Sequence, residues 1–302
     1  MSGVFSTLPD GRDVHAVTLR SEDLEADIVT YGARLNGLRF RGSASLVPTH
    51  DLDAMQGSER YAGAIIGPVM NRISGASAPL GNNVLNFQPN EGKNLLHSGD
   101  TATFAEIWNI KAQTETSVTL ICDLPDGAFP GNRTLTVQYA LQGPELNVRI
   151  SATSDKDTLM APGFHPYWTL SGQGREGHDV VVHADRYLPT GPDSIPTGVV
   201  SHVGDSRFDL RQKRSPSFDI DHCFDLAPAG DVALAVSLSS GKLQLDILTD
   251  APGVHLYTGD PSGIAVEPEM WPDAPNQVNF PSIALAPGHS FEQRIVHRFS
   301  AK

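Results

Sequence analysis

Residues 134–141 read TLTVQYAL, and this stretch decides the fold class. Apolar and polar side chains alternate along it with a period of two, which is typical of a β-strand with one buried face and one solvated face. The apolar face would carry Leu135, Val137, Tyr139 and Leu141. Strands of this kind are characteristic of antiparallel sheets, which can cover a core on one face and meet water on the other.

The same alternation recurs in residues 146–150 (LNVRI) and 243–247 (LQLDI). Glycine (28 residues) and proline (22 residues) are frequent and punctuate the chain with turns, which leaves little room for long helices. A helical period is visible only in a short segment at 52–60. The sequence therefore predicts one all-β domain over residues 1–302, built as a large antiparallel β-sandwich of two packed sheets with little helix.

Composition excludes several classes of partner. The chain has 22 Lys and Arg against 35 Asp and Glu, a formal net charge of −13, and no basic stretch. Binding to nucleic acid or to an anionic membrane requires clustered positive charge, so neither partner is expected. No apolar segment has the length of a membrane span, and residues 1–20 lack the apolar core of a signal peptide. Cys122 and Cys223 are too few for a disulfide framework, and a cytoplasmic location is expected.

Two segments carry side chains suited to proton transfer. Residues 263–269 read GIAVEPE, so Glu267 follows an apolar run and precedes a proline. We expect this carboxyl at a strand end, half desolvated, where its pKa rises toward that of a useful base. Residues 163–168 (GFHPYW) place His165 among aromatic rings, and histidine is the natural general acid near neutral pH. Taken alone, the first segment would favour a surface loop with acidic residues, and the second would favour a histidine packed among aromatic rings.

Three further polar residues stand beside short apolar segments: Arg72, His97 and Asp221. The guanidinium of Arg72 offers a fork of donors suited to hydroxyl oxygens. The eleven histidines show no pair at the spacing of a local metal site. Residues 172–177 (GQGREG) match the glycine pattern of dinucleotide sites, but a strand-like run follows where a helix is needed, so we interpret them as a loop.

Together these segments resemble the aldose 1-epimerase (galactose mutarotase) family. The matches are collinear over nearly the whole chain; each is weak alone, whereas their order and spacing are specific. They comprise 31–35 (YGARL), 71–73 (NRI), 96–97 (LH), Trp108, 129–132 (FPGN), 165–167 (HPY), 221–224 (DHCF), 257–259 (YTG), 267–268 (EP) and 272–276 (PDAPN).

The resemblance implies a galactose mutarotase-like supersandwich with an open cleft on one concave sheet. It also implies that Glu267 is the general base and His165 the general acid. The substrate-binding residues that it implies or suggests are Arg72, His97, Asp221, Asn71, Tyr167 and His255.

Two departures from the family pattern lie close to these residues. A glutamine that is common before the Tyr-Thr-Gly motif is His255 here, and the familiar Glu-x-Gln is Glu267-Pro268-Glu269. The acid and the base are both kept, so the resemblance implies the reaction class. It does not imply galactose or glucose as the preferred sugar.

The implied activity is that of an isomerase (EC 5.1.3 type), which interconverts the α and β anomers of a free aldose by acid–base-catalysed ring opening and reclosure. It needs no cofactor and no metal. The expected partner is a monosaccharide, bound by a monomer or a homodimer.

Three alternatives stay open. A hexose-phosphate mutarotase would need a basic cluster, for which Arg34, Arg60 or Arg133 would have to fold in from afar. A non-catalytic carbohydrate-binding protein could use the same fold, although it would not need both an acid and a base. A glycosidase would need two convergent carboxyls, and we expect Pro268 to keep Glu267 and Glu269 apart.

Overall fold

The regular secondary structure of the described residues is almost entirely β-strand. The computed structural model describes residues 2–204, 206–216, 218–226 and 230–301. In the first half of the chain the strands are β1 (Ser2–Thr7), β2 (Asp13–Arg20), β3 (Leu24–Val29), β4 (Arg34–Phe40), β5 (Ile65–Ile66), β6 (Arg72–Ile73), β7 (Ser77–Leu80), β8 (Asn83–Asn86), β9 (Leu95–Leu96), β10 (Asn109–Gln113), β11 (Ser117–Leu124), β12 (Arg133–Gln142) and β13 (Glu145–Ser154).

In the second half they are β14 (Thr158–Leu159), β15 (Gly163–Phe164), β16 (Tyr167–Trp168), β17 (Asp179–Val182), β18 (Arg186–Tyr187), β19 (Ser201–His202), β20 (Asp221–Asp225), β21 (Ala233–Ser240), β22 (Leu243–Thr249), β23 (Gly253–Tyr257), β24 (Ile264–Glu269), β25 (Ala284–Leu285) and β26 (Phe291–Ala301). Helical structure among the described residues is limited to α1 (Leu52–Gln56) and to 3-10 turns at Ser74–Ala76, Gly99–Thr101, Thr103–Ala105 and Ala274–Asn276.

One layer of the molecule is an antiparallel sheet in which eight strands are described, in the order β10-β11-β12-β13-β26-β22-β21-β17. Its central strand β12 pairs with β13 over the whole length of both, Arg133 opposite Ser154 and Gln142 opposite Glu145. Leu135, Val137, Tyr139 and Leu141 are buried and Gln138 is exposed. The predicted alternation is therefore confirmed, because a strand directs successive side chains to opposite faces.

The second layer contains two sheets, β1-β2-β3-β4 and β16-β24-β23-β20-β18-β19. Aromatic contacts join the layers: the Trp168 ring lies 5.9 Å from that of Phe299, and Phe40 lies 6.0 Å from the same ring. The Tyr139 hydroxyl donates to the Ala33 carbonyl at 2.7 Å. The predicted antiparallel all-β sandwich is thus confirmed. A single domain over 1–302 stays a prediction.

Helix α1 lies within the segment 52–60 that the helical period indicates, but it is shorter. The Asp51 side chain caps its N-terminus by accepting from the Ala54 N–H at 2.9 Å, and the helix stops at Gly57. None of the described helices is long and apolar enough to cross a membrane. Cys122 and Cys223 are buried and unpaired, and the cytoplasmic location stays a prediction.

Strand β24 differs from the sequence expectation in a way that shapes the site. We expected the strand to stop at Glu267, but it continues through Pro268 to Glu269. Strand β16 pairs only with Ile264 and Ala265, so at Pro268 the paired neighbour is β23 alone. Proline is tolerated at such a position because no second ladder needs its missing N–H. Glu267 and Glu269 consequently project from the same face of the strand, and Glu269 contacts His255, with 3.3 Å between Oε1 and Nδ1.

Leu135→Ala should lower the free energy of unfolding by about 2–5 kcal/mol, because it leaves a cavity at the centre of the buried face of β12. Urea denaturation followed by circular dichroism measures this difference. Gln138→Ala, on the exposed face of the same strand, is the matched control and should change stability by no more than about 0.5 kcal/mol. Similar losses in the two variants would contradict the assignment of the buried face.

Candidate active site

The sheet that contains β20, β23 and β24 has two different faces. The face directed away from the core is polar. Val254, Leu256 and Val266 point into the core. The period of two sends the intervening residues to the other face, where His255 lies directly opposite Glu267 in the antiparallel register. Directly opposed residues on one face are in contact distance. The alternation that builds the core therefore also assembles a polar floor.

A second unit, formed by β6 and β9, lies over this floor and presents Asn71 and His97. The two residues lock each other: the His97 N–H donates to the Asn71 carbonyl at 3.0 Å, and the Asn71 N–H donates to His97 Nδ1 at 3.1 Å. Both have left-handed backbones, with φ of 63° and 51°, a conformation that non-glycine residues keep only where surrounding contacts hold it. Because Nδ1 accepts, the neutral His97 ring carries its proton on Nε2.

His165 is fixed by its backbone. Its N–H donates to the Ala64 carbonyl at 3.0 Å, and its carbonyl accepts from the Gly63 N–H at 2.8 Å. Its neighbour Phe164 points into the core, so the imidazole points the other way. His165 Nε2 lies 3.5 Å from Glu267 Oε2, and both side chains are almost fully buried. The two residues proposed from sequence, a hundred positions apart, therefore face each other.

All eight residues singled out from the sequence line one pocket of about 220 Å³. The sequence therefore predicted their convergence, whereas their chemical roles stay predictions. The lining comprises Asn71, Arg72, His97, His165, Tyr167, Asp221, His255 and Glu267, together with Tyr61, Glu91, Leu96 and Tyr257.

Burial controls the proton affinity of the central pair. Glu267 is 2% exposed, and burial raises its pKa to about 8. Burial lowers the pKa of His165 to about 3. Both shifts follow because a desolvated site disfavours whichever form carries charge. The expectation of a half-desolvated Glu267 understates the effect, since the strand continues on both sides of it.

The guanidinium of Arg72 has fewer donors free for sugar hydroxyl groups than its sequence context suggests. Its Nε and Nη2 groups donate to the two Glu91 carboxylate oxygens at 2.7 and 2.9 Å, a bidentate pair. Its Nη1 atom lies 3.5 Å from Asp221 Oδ2. The fork that could hold hydroxyl groups is therefore largely occupied, and Nη1 is the atom left beside the pocket.

His255 has both ring nitrogens engaged. Nε2 lies 2.7 Å from Asp221 Oδ1, and Nδ1 lies 3.3 Å from Glu269 Oε1. Burial alone would lower the pKa of His255, but the hydrogen bonds to Asp221 and Glu269 outweigh it and raise the pKa to about 10. The ring borders the pocket, yet no N–H group is free to bind a sugar.

Four pocket residues were not chosen from the sequence: Tyr61, Glu91, Leu96 and Tyr257. Tyr257 belongs to the Tyr-Thr-Gly motif and could have been included on that signal. The Tyr61 ring lies 4.6 Å from that of His97. Buried Arg34 donates to the carbonyls of Glu59 and Arg60 at 2.9 and 2.8 Å and so fixes the loop that carries Tyr61.

Tyr61 and Glu91 lie in loops without a recognisable sequence pattern, so no local signal points to them. Over the described ranges, no group of three or more His, Cys, Asp or Glu side chains is placed to hold a metal ion.

Comparison with known proteins agrees with this geometry. A sequence model of the family described as Aldose 1-epimerase matches residues 15–298. The galactose mutarotase of Mus musculus is 30% identical over 98% of this chain and 97% of its own, and the aldose 1-epimerase of Escherichia coli (strain K12) is 28% identical over 97% of each.

Among solved structures, galactose 1-epimerase from Lactobacillus acidophilus NCFM matches with a TM-score of 0.89 at 24% identity, over 100% of this chain and 98% of that chain. This likeness confirms the predicted galactose mutarotase-like fold. With a family match that leaves only the two ends uncovered, the chain belongs to the aldose 1-epimerase family.

Proposed function

We propose that this protein is an aldose 1-epimerase that interconverts the α and β anomers of a free aldose. The observation that carries the proposal is the buried Glu267–His165 pair, with 3.5 Å between Oε2 and Nε2, at the wall of a pocket lined by hydrogen-bonding groups. Family membership and relatives named as galactose mutarotase and aldose 1-epimerase support it.

The reaction needs one proton acceptor and one proton donor at neighbouring oxygens. Glu267 takes the proton of the C1 hydroxyl, the bond between C1 and the ring oxygen breaks, and His165 gives a proton to that oxygen. The open-chain aldehyde turns about the C1–C2 bond, and reclosure on its other face runs the transfers in reverse. Because both oxygens are bonded to C1, two groups as close as Glu267 and His165 can reach them together.

The pair must carry one proton for this exchange. Glu267 has a pKa of about 8 and His165 a pKa of about 3, so before a sugar binds the two side chains together hold one proton at neutral pH. The proton rests on Glu267, and its transfer to His165 Nε2 gives the form that is ready to open the ring. Since the two groups swap roles on closure, the same single proton serves both directions.

The other lining groups hold the sugar while C1 turns. His97 presents an Nε2–H donor, Arg72 presents Nη1, and Asp221 presents carboxylate oxygens from a side chain that stays 30% exposed. Tyr167 adds its ring beside His165, with centroids 5.2 Å apart. Asn71 supports the site instead of binding the sugar, because its amide nitrogen donates to Glu269 Oε1 at 3.2 Å.

The charge arrangement favours a free sugar over a sugar phosphate. Arg72 is paired with Glu91, and Lys93 lies 3.0 Å from Asp193. Arg34 is buried and donates to backbone carbonyls. Arg133 likewise donates to the Gly131 carbonyl, and Arg60 lies 3.6 Å from Asp100. A phosphate would have to displace these partners, so the geometry does not support a hexose-phosphate mutarotase.

The other two alternatives also lack support. A non-catalytic sugar-binding protein would gain nothing from burying an acid and a base against each other, which costs stability. A glycosidase would need a second carboxyl that converges with Glu267 on one carbon. The other two carboxyls of the pocket are engaged, Glu91 with Arg72 and Asp221 with Arg72 and His255, and Glu269 is bonded to His255 and to Asn71.

Glu267→Gln should reduce kcat for mutarotation by about 10²–10⁴-fold, because the amide keeps the shape but cannot accept the proton. Polarimetry on freshly dissolved α-galactose and α-glucose measures the rate, and isothermal calorimetry checks that sugar binding persists. Glu115→Gln, at an exposed site, is the matched control and should match wild type. A Glu267→Gln variant within a few-fold of wild type would exclude Glu267 as the base.

The value of kcat/KM should stay level near neutral pH and fall about tenfold per unit as pH rises through about 8. Above that pH the free pair holds no proton, so no acid remains for the ring oxygen. Initial rates corrected for the uncatalysed reaction at each pH measure the profile. A rise through pH 8 would mean that ionised Glu267 acts without a shared proton.

A further inference from the structure

We propose that His255 and Glu269 form a matched ion pair beneath the reacting groups, and that His255 is a positively charged positioning residue and not a sugar ligand. This inference rests on the proposed mutarotase function. It assigns to both residues a role that neither the motifs nor the family match gives them.

The pair belongs to one continuous chain of contacts. Asp221 Oδ1 lies 2.7 Å from His255 Nε2, and His255 Nδ1 lies 3.3 Å from Glu269 Oε1. The imidazole is thus held between two carboxyls, at 4% exposure for His255 and 1% for Glu269. An imidazolium donates to both, and such charge-assisted bonds are the stronger kind.

A neutral His255 ring would stabilise the Glu269 carboxylate less well than a charged ring. It would accept from the Asn71 amide, whose nitrogen lies 3.1 Å from Nδ1, and Glu269 would then lose the countercharge that the ring supplies. The second Glu269 oxygen, Oε2, has no hydrogen-bond partner among the described residues. Glu269 would keep the hydrogen bond from the Asn71 amide at 3.2 Å, but a buried carboxylate without a countercharge is unfavourable. The contacts therefore favour the charged ring.

His255 and Glu269 balance each other's charge. Their contact places a cation beside an acid at 4% and 1% exposure. Removal of one partner would leave an uncompensated charge in a buried site, which is strongly destabilising, whereas replacement of both can be nearly neutral.

The charge of His255 acts on Glu267, its direct cross-strand neighbour. Other charged groups around Glu267 are the cation Arg72 and the acids Asp221 and Glu269; His97, His165 and Tyr167 line the same pocket. His255 opposes the rise in the pKa of Glu267 that burial causes, whereas Glu269 and Asp221 add to it. His255 therefore keeps the Glu267 proton transferable.

A double-mutant cycle tests the matched pair, using His255→Gln, Glu269→Gln and the double variant. His255→Gln should lower kcat/KM by about tenfold or more, and the double variant should recover to within about threefold of wild type, because contacting residues couple. In His255→Gln the alkaline limb of the pH profile should move up by about one unit or more, since Glu267 loses a neighbouring cation. In the double variant it should return toward the wild-type position.

Losses that simply multiply in the double variant, or an alkaline limb that stays in place in His255→Gln, would overturn the proposal. A purely structural role would reduce activity without moving the limb.

Nitrogen-15 NMR of the wild-type histidine rings gives a readout that needs neither a folded variant nor activity. Both His255 ring nitrogens should remain protonated at pH 8, with a pKa of about 10. A ring that is neutral at pH 7, with Nδ1 accepting from Asn71, would refute the ion pair. If wild-type protein lacks mutarotase activity but His255 is charged, the proposed function fails and the ion pair stands.

Discussion

The desolvation of the Glu267 carboxyl is the constraint on which this site depends. A carboxyl in water is ionised at neutral pH and is a weak base, whereas at 2% exposure its pKa rises to about 8. The same burial lowers the pKa of His165, so the pair holds a single proton on Glu267, 3.5 Å from the His165 Nε2 atom that would receive it. Acid–base chemistry at the two oxygens of one carbon follows from that arrangement.

The core of the sandwich keeps Glu267 in this position. Val266 and Leu256 anchor strands β24 and β23 against the eight-stranded sheet, and their neighbours Glu267 and His255 must then face the pocket. A one-residue slip in register would exchange the two faces and place charges in the core, so the hydrophobic pattern specifies the site as firmly as it specifies the fold. Burying these acids costs stability, and the large apolar core offsets it.

The sequence predicted the parts of the structure that depend on local pattern. Period-two alternation was sufficient for β12, and collinear motifs brought eight residues to one pocket. The prediction was wrong at Pro268, because whether a proline ends a strand depends on how many strands neighbour it. The sequence pattern could not predict that Arg72 donates to Glu91, or that Arg34 donates to the loop that carries Tyr61. These contacts join segments that are far apart in the chain.

A crystal structure of the Glu267→Gln variant with a bound aldose would test the proposed mechanism most directly. The C1 oxygen should lie within about 2.6–3.2 Å of the side-chain amide at position 267, and the ring oxygen should lie at the same distance from His165 Nε2. Arg72, His97 and Asp221 should contact the remaining hydroxyls. A sugar bound with C1 turned away from His165 and position 267, or bound outside this pocket, would contradict the mechanism.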